Sequence, residues 1–175
     1  MRMWERSFHA GSSLRENPRS HTHLSLYPRE RNLQAVALKT DWIRPACEIG
    51  TTIVCGDFNG DPSEDMYATM TKDKDFKLES AYQRGKDKLQ ITKTTVRELE
   101  ITITALGSEP SWTTKKTREG TGTRQKCIDY VFYTASNLTP LAVLQLPEAE
   151  EVPDKGYPSR NFPSDHLNLV VKFAV

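Results

Sequence analysis

A strand-like run that stops at a cluster of turn-forming residues constrains this chain more than any other feature. Residues 51–55, TTIVC, are apolar or β-branched without strict alternation, which is typical of a buried strand. Gly56 then interrupts the pattern, and residues 60–62, GDP, predict a tight loop. The strand is therefore expected to place Asp57 and Asn59 at its C-terminal edge, where open α/β sheets present their functional groups.

The three residues after Gly56 alternate between polar and aromatic side chains. In extended geometry Asp57 and Asn59 share one face, and Phe58 points toward the core. This stretch also has a plain structural interpretation, because Asp, Gly and Asn are common in the turns that follow strands. The downstream sequence bears on which interpretation is favoured.

Two later strand-like runs also carry, or directly follow, residues with side chains suited to catalysis or metal binding. Asp129 lies within residues 128–133, IDYVFY, and Asp165 and His166 come just before the apolar residues 169–173. Three strand edges that each carry Asp, Asn or His favour a functional site over ordinary turn chemistry.

The rest of the chain predicts alternating strands and helices. Residues 29–44 are expected to form a helix that stops before Pro45, and Ser63 is expected to cap a second, short helix. The apolar positions of the first helix recur at a spacing near 3.6 residues and are Leu33, Val36, Ala37, Trp42 and Ile43. Further strands are predicted at 21–26, 99–105 and 141–146, with a loop over 148–159.

Length and charge are compatible with one domain and exclude few partners. At 175 residues the chain can bury a sizeable core, and its net charge of +1 still allows a locally basic surface. Gly120 and Gly122 indicate a hairpin or flexible loop within the densest basic stretch. That stretch is either a solvated, charged hairpin or a contact surface for phosphates. Its cations are Lys115, Lys116, Arg118, Arg124 and Lys126.

The cysteines and the N-terminal segment bear on the compartment. Three cysteines without a CxxC spacing support neither a disulfide framework nor a zinc site, and Cys55 and Cys127 are expected to pack as small hydrophobes. This favours a reducing compartment, the cytoplasm. Arginines and serines among the first nineteen residues leave mitochondrial targeting as an alternative. No apolar run reaches the length of a membrane span.

Three short motifs in a fixed order now identify a family resemblance. Residues 56–59 (GDFN), 128–130 (IDY) and 163–167 (PSDHL) resemble the C-terminal half of the endonuclease/exonuclease/phosphatase superfamily. Residues 112–114 (WTT) and 161–167 (NFPSDHL) are similar to its deadenylase-like branch, which contains the nocturnin-like, angel-like and 2′,5′-phosphodiesterase-like enzymes.

The resemblance implies a fold and a domain boundary. The family fold is α/β (α+β), a two-sheet β-sandwich flanked by helices (the DNase I-like fold), in roughly twice this length. Residues 20–175 therefore resemble the C-terminal half of such a domain, truncated at the N-terminus, and residues 1–19 are expected to be an irregular segment. The family's first half supplies a metal-binding Glu and an Asn, each from its own strand edge. The family also has an Asn ahead of residues 22–24 (THL), where this chain has His21.

The resemblance also implies roles for particular residues. Asp57 would orient or deprotonate the attacking water, His166 would donate to the phosphate, and Asp129 would orient the imidazole. The implied catalytic residues are Asp57, Asn59, Asp129, Asp165 and His166. The implied substrate-binding residues are His23, Asn59, His166, Lys115 and Lys116. The implied ligands for Mg²⁺, with Mn²⁺ as an alternative, are Asp57, Asn59 and Asp165.

The implied activity is metal-dependent phosphoester hydrolysis. Substrates within the branch are poly(A) RNA, 2′,5′-oligoadenylate or a phosphorylated nucleotide cofactor, so the expected partner is RNA or an adenine nucleotide. One alternative is a catalytically inactive fragment that only binds nucleotide or protein partners. Another is an endonuclease on abasic DNA or a lipid phosphatase, against which the WTT and NFPSDHL motifs argue.

Overall fold

The fold is α/β, as predicted. The computed structural model describes residues 19–73, 76, 78–83, 94–96, 99–101, 108–118, 120, 122–136, 138–160 and 162–174. The predicted irregular segment therefore lies outside the described residues up to residue 18, and Arg19 already belongs to a strand.

The described chain contains ten strands and three α-helices, and all three α-helices precede β3. In chain order the elements are β1 (Arg19–His23), α1 (Pro28–Ala37), a π-helical turn (Leu38–Ile43), α2 (Arg44–Ile49), β2 (Ile53–Asp57), α3 (Asp65–Thr71) and β3 (Glu79–Ser80). They continue as β4 (Thr94–Val96), β5 (Leu99–Ile101), β6 (Thr114–Arg118), β7 (Gly122–Lys126), β8 (Asp129–Tyr133), β9 (Thr139–Val143), a 3-10 turn (Ala149–Glu151) and β10 (Val171–Ala174).

In the largest sheet, residues from distant parts of the chain lie opposite one another on neighbouring strands. Its strand order is β1-β2-β8-β3, with β1 parallel to β2 and β8 antiparallel to β2. The register pairs His23 with Asp57 and Asp57 with Asp129. Side chains opposite one another on neighbouring strands point to the same face of a sheet, so these three side chains lie side by side.

Each face of this sheet has its own apolar cluster. The helices cover the face that carries Val54, Phe58 and Phe132, all fully buried, as predicted for Phe58. Val131 and Tyr133 lie in a second cluster with β10 residues of the β9–β10 pair. The described strands form one four-stranded and three two-stranded sheets. The α/β class is thus confirmed, while the described sheets are too small to form the clear two-sheet sandwich implied by the resemblance.

The sequence predicts that Gly56 interrupts its strand, and this prediction is wrong. Strand β2 continues through Gly56 to Asp57, with Gly56 at φ +146°. A Cβ atom at this position would lie 2.0 Å from the backbone oxygen of Thr22 on β1. The glycine is therefore required by the close approach of two strands rather than by a turn.

The predicted apolar face of the first helix is confirmed at Ile43, which is 2% exposed, and is wrong at the other four positions. Leu33 and Trp42 are 62% and 50% exposed, whereas Arg31 and Lys39 are each 3% exposed. These two cations, which have internal partners, lie on the buried side of the helical run, where the hydrophobic pattern did not place them, so the periodicity selects the wrong face. Pro45 does not stop the helical run either, because it lies in the first turn of α2, where proline is tolerated.

Several boundaries also move. The residue that precedes α3 is Glu64, which makes no side-chain cap, and the Ser63 hydroxyl instead donates to Asp61. Strand β1 ends at His23, β9 ends at Val143, and residues 102–105 of a predicted strand lie outside the described residues. The predicted hairpin around the basic stretch is confirmed as the β6–β7 pair.

The cysteine prediction is confirmed for the two residues in question. Cys127 is 5% exposed, and Cys55 packs against the cluster on the β10 side of the sheet. All three cysteines lie among the described residues, and none of them forms a disulfide bond. Within the part of the chain that the structure describes, the helices are too short or too polar to cross a membrane.

Candidate active site

Three side chains from separate segments converge at one edge of the four-stranded sheet. Asp57 is the last residue of β2, Asp129 is the first residue of β8, and His166 bridges to Thr114 at the start of β6. Each offers one ligand atom, and these atoms lie within 4.8 Å of one another. The antiparallel pairing of β2 and β8 explains the position of the two carboxylates, because the end of one strand lies beside the start of the other.

The imidazole of His166 is oriented by Asp129. His166 Nδ1 lies 3.0 Å from Asp129 Oδ2 and 3.1 Å from Oδ1. A proton on Nδ1 donates to this carboxylate, so Nε2 faces the opposite side. There it lies 3.9 Å from an oxygen of Asp57 and 3.9 Å from an oxygen of Asp165.

Thr113 is a residue of the site that the sequence prediction missed. It is 0% exposed, and its hydroxyl donates to Asp129 Oδ2 at 2.6 Å. The Thr113 hydroxyl oxygen in turn accepts hydrogen bonds from the backbone N–H groups of Ile128 and Asp129, at 3.0 and 3.2 Å. Thr113 belongs to the WTT motif used for the resemblance, but it precedes Asp129 by 16 residues, and no local pattern shows that the two touch.

Burial and hydrogen bonding act on Asp129 in opposite directions. Burial raises the pKa of the Asp129 carboxyl group, while the bonds from Thr113 and His166 lower it, and the negative charge of Asp57 raises it. The pKa stays above its ordinary value because the burial effect is the largest. Thr113 therefore helps to keep a half-buried carboxyl group in the ionised form that holds the imidazole.

Asp57 and Asn59 form a tight turn rather than one extended face. Asp57 Oδ1 accepts the backbone N–H of Asn59 at 2.7 Å, and Asn59 has a φ of 54°. The Asn59 side-chain nitrogen donates to the backbone oxygen of Leu24 at 2.8 Å. Asn59 therefore links the turn after β2 to the turn after β1, and the extended geometry ends at Asp57.

The remaining predicted site residues lie around this centre at different depths. His23 is exposed, with Nε2 3.5 Å from Asp57 Oδ2. Lys116 Nζ lies 2.8 Å from Asp165 Oδ2, and this hydrogen bond lowers the pKa of the Asp165 carboxyl group. Lys115 is only 7% exposed, so its side chain is largely internal.

The donor set suits a hard divalent cation. Asp57 and Asp129 supply carboxylate oxygens and His166 an imidazole nitrogen, a combination that Mg²⁺ and Mn²⁺ accept. Of the ligands predicted from the resemblance, Asp57 lies in this cluster. Asp165 lies at the margin of the cluster, next to His166 Nε2. The Asn59 amide nitrogen instead donates a hydrogen bond to the backbone oxygen of Leu24.

Thr113→Val tests the support that Asp129 receives. We expect kcat/KM to fall about tenfold, since a hydrogen bond to a charged group contributes at least roughly 1.5 kcal/mol. Loss of the donor raises the pKa of Asp129 further, so the acidic limb of the pH–rate profile moves to higher pH. Thr113→Ser keeps the hydroxyl and should restore both values, and an unshifted acidic limb in Thr113→Val would contradict the role.

The chain is similar to a known family and to proteins within it. Residues 6–166 match the sequence model described as the "Endonuclease/Exonuclease/phosphatase family". Nocturnin of Drosophila melanogaster is 38% identical over 122 residues, and human nocturnin is 34% identical over 123 residues. The aligned part covers 69% and 70% of this chain but only 19% and 24% of those proteins, so the chain spans about a quarter of their length or less.

Solved structures give the same picture of a partial match. The human nocturnin catalytic domain with bound sulfate superposes with a TM-score of 0.58 at 28% identity, over 88% of this chain and 45% of that domain. ANGEL2, a 2′,3′-cyclic phosphatase, superposes with a TM-score of 0.59 at 24% identity, over 87% of this chain and 55% of that protein. The second likeness shows the fold alone.

Proposed function

Because the chain belongs to the endonuclease/exonuclease/phosphatase family, we propose that it hydrolyses phosphoester bonds in a divalent-metal-dependent reaction at the site formed by Asp57, Asp129 and His166. The observation that carries the proposal is the orientation of His166. Its Nδ1 is held by Asp129, and its Nε2 faces the carboxylate of Asp57. His166 as the acid and Asp57 as the base would lie on the two sides of a bound phosphate, an arrangement that suits attack by water.

The residues divide the work by their chemistry. The Asp57 carboxylate accepts a proton from the attacking water, and His166 Nε2–H donates to a phosphate oxygen as negative charge develops. Asp129 stabilises the protonated imidazole, and Thr113 holds Asp129 in place. A divalent cation would be held by carboxylate oxygens, with Asp57 and Asp165 as the candidates, and would supply further positive charge to the phosphate oxygens; His166, with both ring nitrogens protonated, would not be its ligand. In this proposal Asn59 orients a phosphate oxygen, and Asp165 lies on the metal side of the site.

We assign an adenine nucleotide or an RNA 3′ end as the substrate class. Nocturnins are among the relatives in sequence, and the structure of the human nocturnin catalytic domain holds a sulfate, an oxyanion of the same shape as phosphate. The three candidate substrates remain poly(A) RNA, 2′,5′-oligoadenylate and a phosphorylated nucleotide cofactor. The exposed imidazole of His23, beside Asp57, is within reach of a phosphate at this edge.

The β6–β7 hairpin supports a substrate with more than one phosphate. Its register places Lys116 directly opposite Arg124, and Lys126 opposite Thr114, so one face gathers several cations. Like charges directly across a strand pair are destabilising, and an anionic ligand would relieve this repulsion. Lys116 also contacts Asp165, which connects this face to the site. We therefore place additional phosphates along this face and assign the contact to Lys116 rather than to the buried Lys115.

Removal of a cation from this face should weaken binding without altering the chemical step. Arg124→Gln is expected to raise KM several-fold with kcat unchanged, and to lower the salt dependence of kcat/KM by about one counterion. Lys72→Gln, an exposed cation at the C-terminal end of α3, is the matched control and should change neither value. Equal salt dependence of Arg124→Gln and the unaltered chain would exclude this face from substrate contact.

The experiment that tests the function is a comparison of substrates with and without metal. The purified chain is incubated with a poly(A) oligomer, 2′,5′-oligoadenylate or NADPH, in Mg²⁺, in Mn²⁺ and in chelator, and released AMP or phosphate is measured. We expect turnover that requires metal and falls about 10²–10⁴-fold in Asp57→Ala. A folded chain that binds these nucleotides but does not turn them over would instead support the inactive, binding-only alternative.

A further inference from the structure

Arg31 is a buried cation whose contacts lead to the candidate active site. It lies on α1 and is 3% exposed. Its Nε and Nη2 donate to Glu64 Oε2 at 3.1 and 2.5 Å, which neutralises the charge. Its Nη1 donates to three backbone oxygens, those of Ser25, Leu26 and Asn59, with the first two at 3.1 and 3.3 Å.

Those three oxygens belong to two different turns. Ser25 and Leu26 follow β1, and Asn59 follows β2. Asn59 itself donates its side-chain nitrogen to Leu24 and its backbone N–H to the Asp57 carboxylate. Two groups therefore hold the same two turns together. The Arg31 guanidinium group does so through backbone oxygens of both turns, and the Asn59 side chain does so through its hydrogen bond to Leu24.

A second buried cation shows what a purely structural role looks like on this helical run. Lys39 is also 3% exposed, and its Nζ donates to the backbone oxygen of Thr69 at 2.6 Å and pairs with Asp73 at 3.2 Å. Those contacts fasten the π-helical turn to α3 and to the residues after it. Both cations stabilise the helical layer, but the Arg31 contacts also reach the turn that carries Asp57.

We propose that Arg31 is a positioning residue that fixes the Asp57–Asn59 turn against the turn after β1, and the kinetic part of this proposal rests on the proposed function. A guanidinium group reaches the carboxylate of Glu64 and both turns at once because its donors form a planar fork. A lysine ammonium is a single point that cannot do so. A turn released by even about 1 Å can cost roughly 100-fold in rate without loss of the groups themselves.

The test compares Arg31→Lys with Lys39→Met by hydrogen exchange at single amides. In Arg31→Lys we expect exchange of the Asn59 amide to rise at least about tenfold more than exchange of the Thr134 amide, which donates to Thr52 in the central sheet. In Lys39→Met both amides should change by the same factor. A uniform rise across the two amides in Arg31→Lys would overturn the proposal, since it is the signature of general destabilisation.

The kinetic arm uses the substrate and metal that give turnover with the unaltered chain. In Arg31→Lys we expect kcat to fall about 10–100-fold with KM changed less than about threefold, and in Lys39→Met kcat to stay within about threefold of the unaltered chain. Unchanged kcat in Arg31→Lys would overturn the proposal. If the unaltered chain has no turnover, the proposed function fails, and hydrogen exchange alone decides the role of Arg31.

Discussion

His166→Gln is expected to lower kcat by about 10²–10⁴-fold with KM little changed, because general acid–base catalysis typically contributes that much. Glutamine places its amide group near the position of Nε2, so the variant keeps a neutral hydrogen-bond donor there and most of the local packing, while it removes the ionisable imidazole and its contact with Asp129. The loss should appear under single-turnover conditions, which report the chemical step without product release.

The matched control for this prediction is His21→Gln. His21 is an exposed histidine on β1, paired in register with Cys55, two residue pairs before the pair formed by His23 and Asp57. We expect its kcat to equal that of the unaltered chain. If His166→Gln keeps kcat within about threefold of the unaltered chain, His166 is not the proton donor and the proposed division of roles is wrong.

Gly56→Ala is expected to lower the free energy of unfolding by about 3 kcal/mol or more. The new Cβ would lie 2.0 Å from the Thr22 oxygen, and φ at this position is +146°. Backbone strain of this kind costs roughly 1–3 kcal/mol, and forced overpacking costs a similar amount. Relief requires β1 to move away from β2, which also separates His23 from Asp57.

Urea denaturation followed by circular dichroism measures this loss, and Gly122→Ala is its control. Gly122 also has a positive φ, at +73°, but an added Cβ there meets nothing within 4 Å. We expect it to cost about 1 kcal/mol from strain alone. Equal losses in the two variants would show that β1 and β2 are not held as closely as the structure has them.

The strand edges of the site could be predicted from sequence because each is a local pattern. Asp57 follows one run of β-forming residues, Asp129 lies at the start of another, and His166 comes shortly before a third. The antiparallel pairing of the first two runs brings Asp57 beside Asp129. The resemblance supplied the roles that these side chains take in the proposal. The contact between Thr113 and Asp129 could not be predicted, because it depends on how the β6–β7 hairpin folds back.

The errors in the helical layer have a different physical origin. Periodicity assumes that buried positions are apolar, but Arg31 and Lys39 are buried with their charges paired by Glu64 and Asp73. Leu33 and Trp42 consequently face outward. The strand prediction was wrong at Gly56 for a related reason. From sequence alone, a glycine that is needed for close packing of two strands cannot be told from a glycine that ends a strand.

The pairing of β2 with β8 has a consequence for how the chain reaches its folded state. Thr52 and Thr134, at the end of this pair, are hydrogen-bonded although 82 positions separate them. Sheets built from such distant partners close slowly, typically in about milliseconds to seconds, because chain entropy opposes the first contacts. Asp57 and Asp129 therefore meet only when the sheet closes, and a partly folded chain has no comparable pair of carboxylates. A divalent cation that recognises this cluster binds the folded chain alone, and at one hundred times its dissociation constant it adds about 2.7 kcal/mol to the folding equilibrium by mass action.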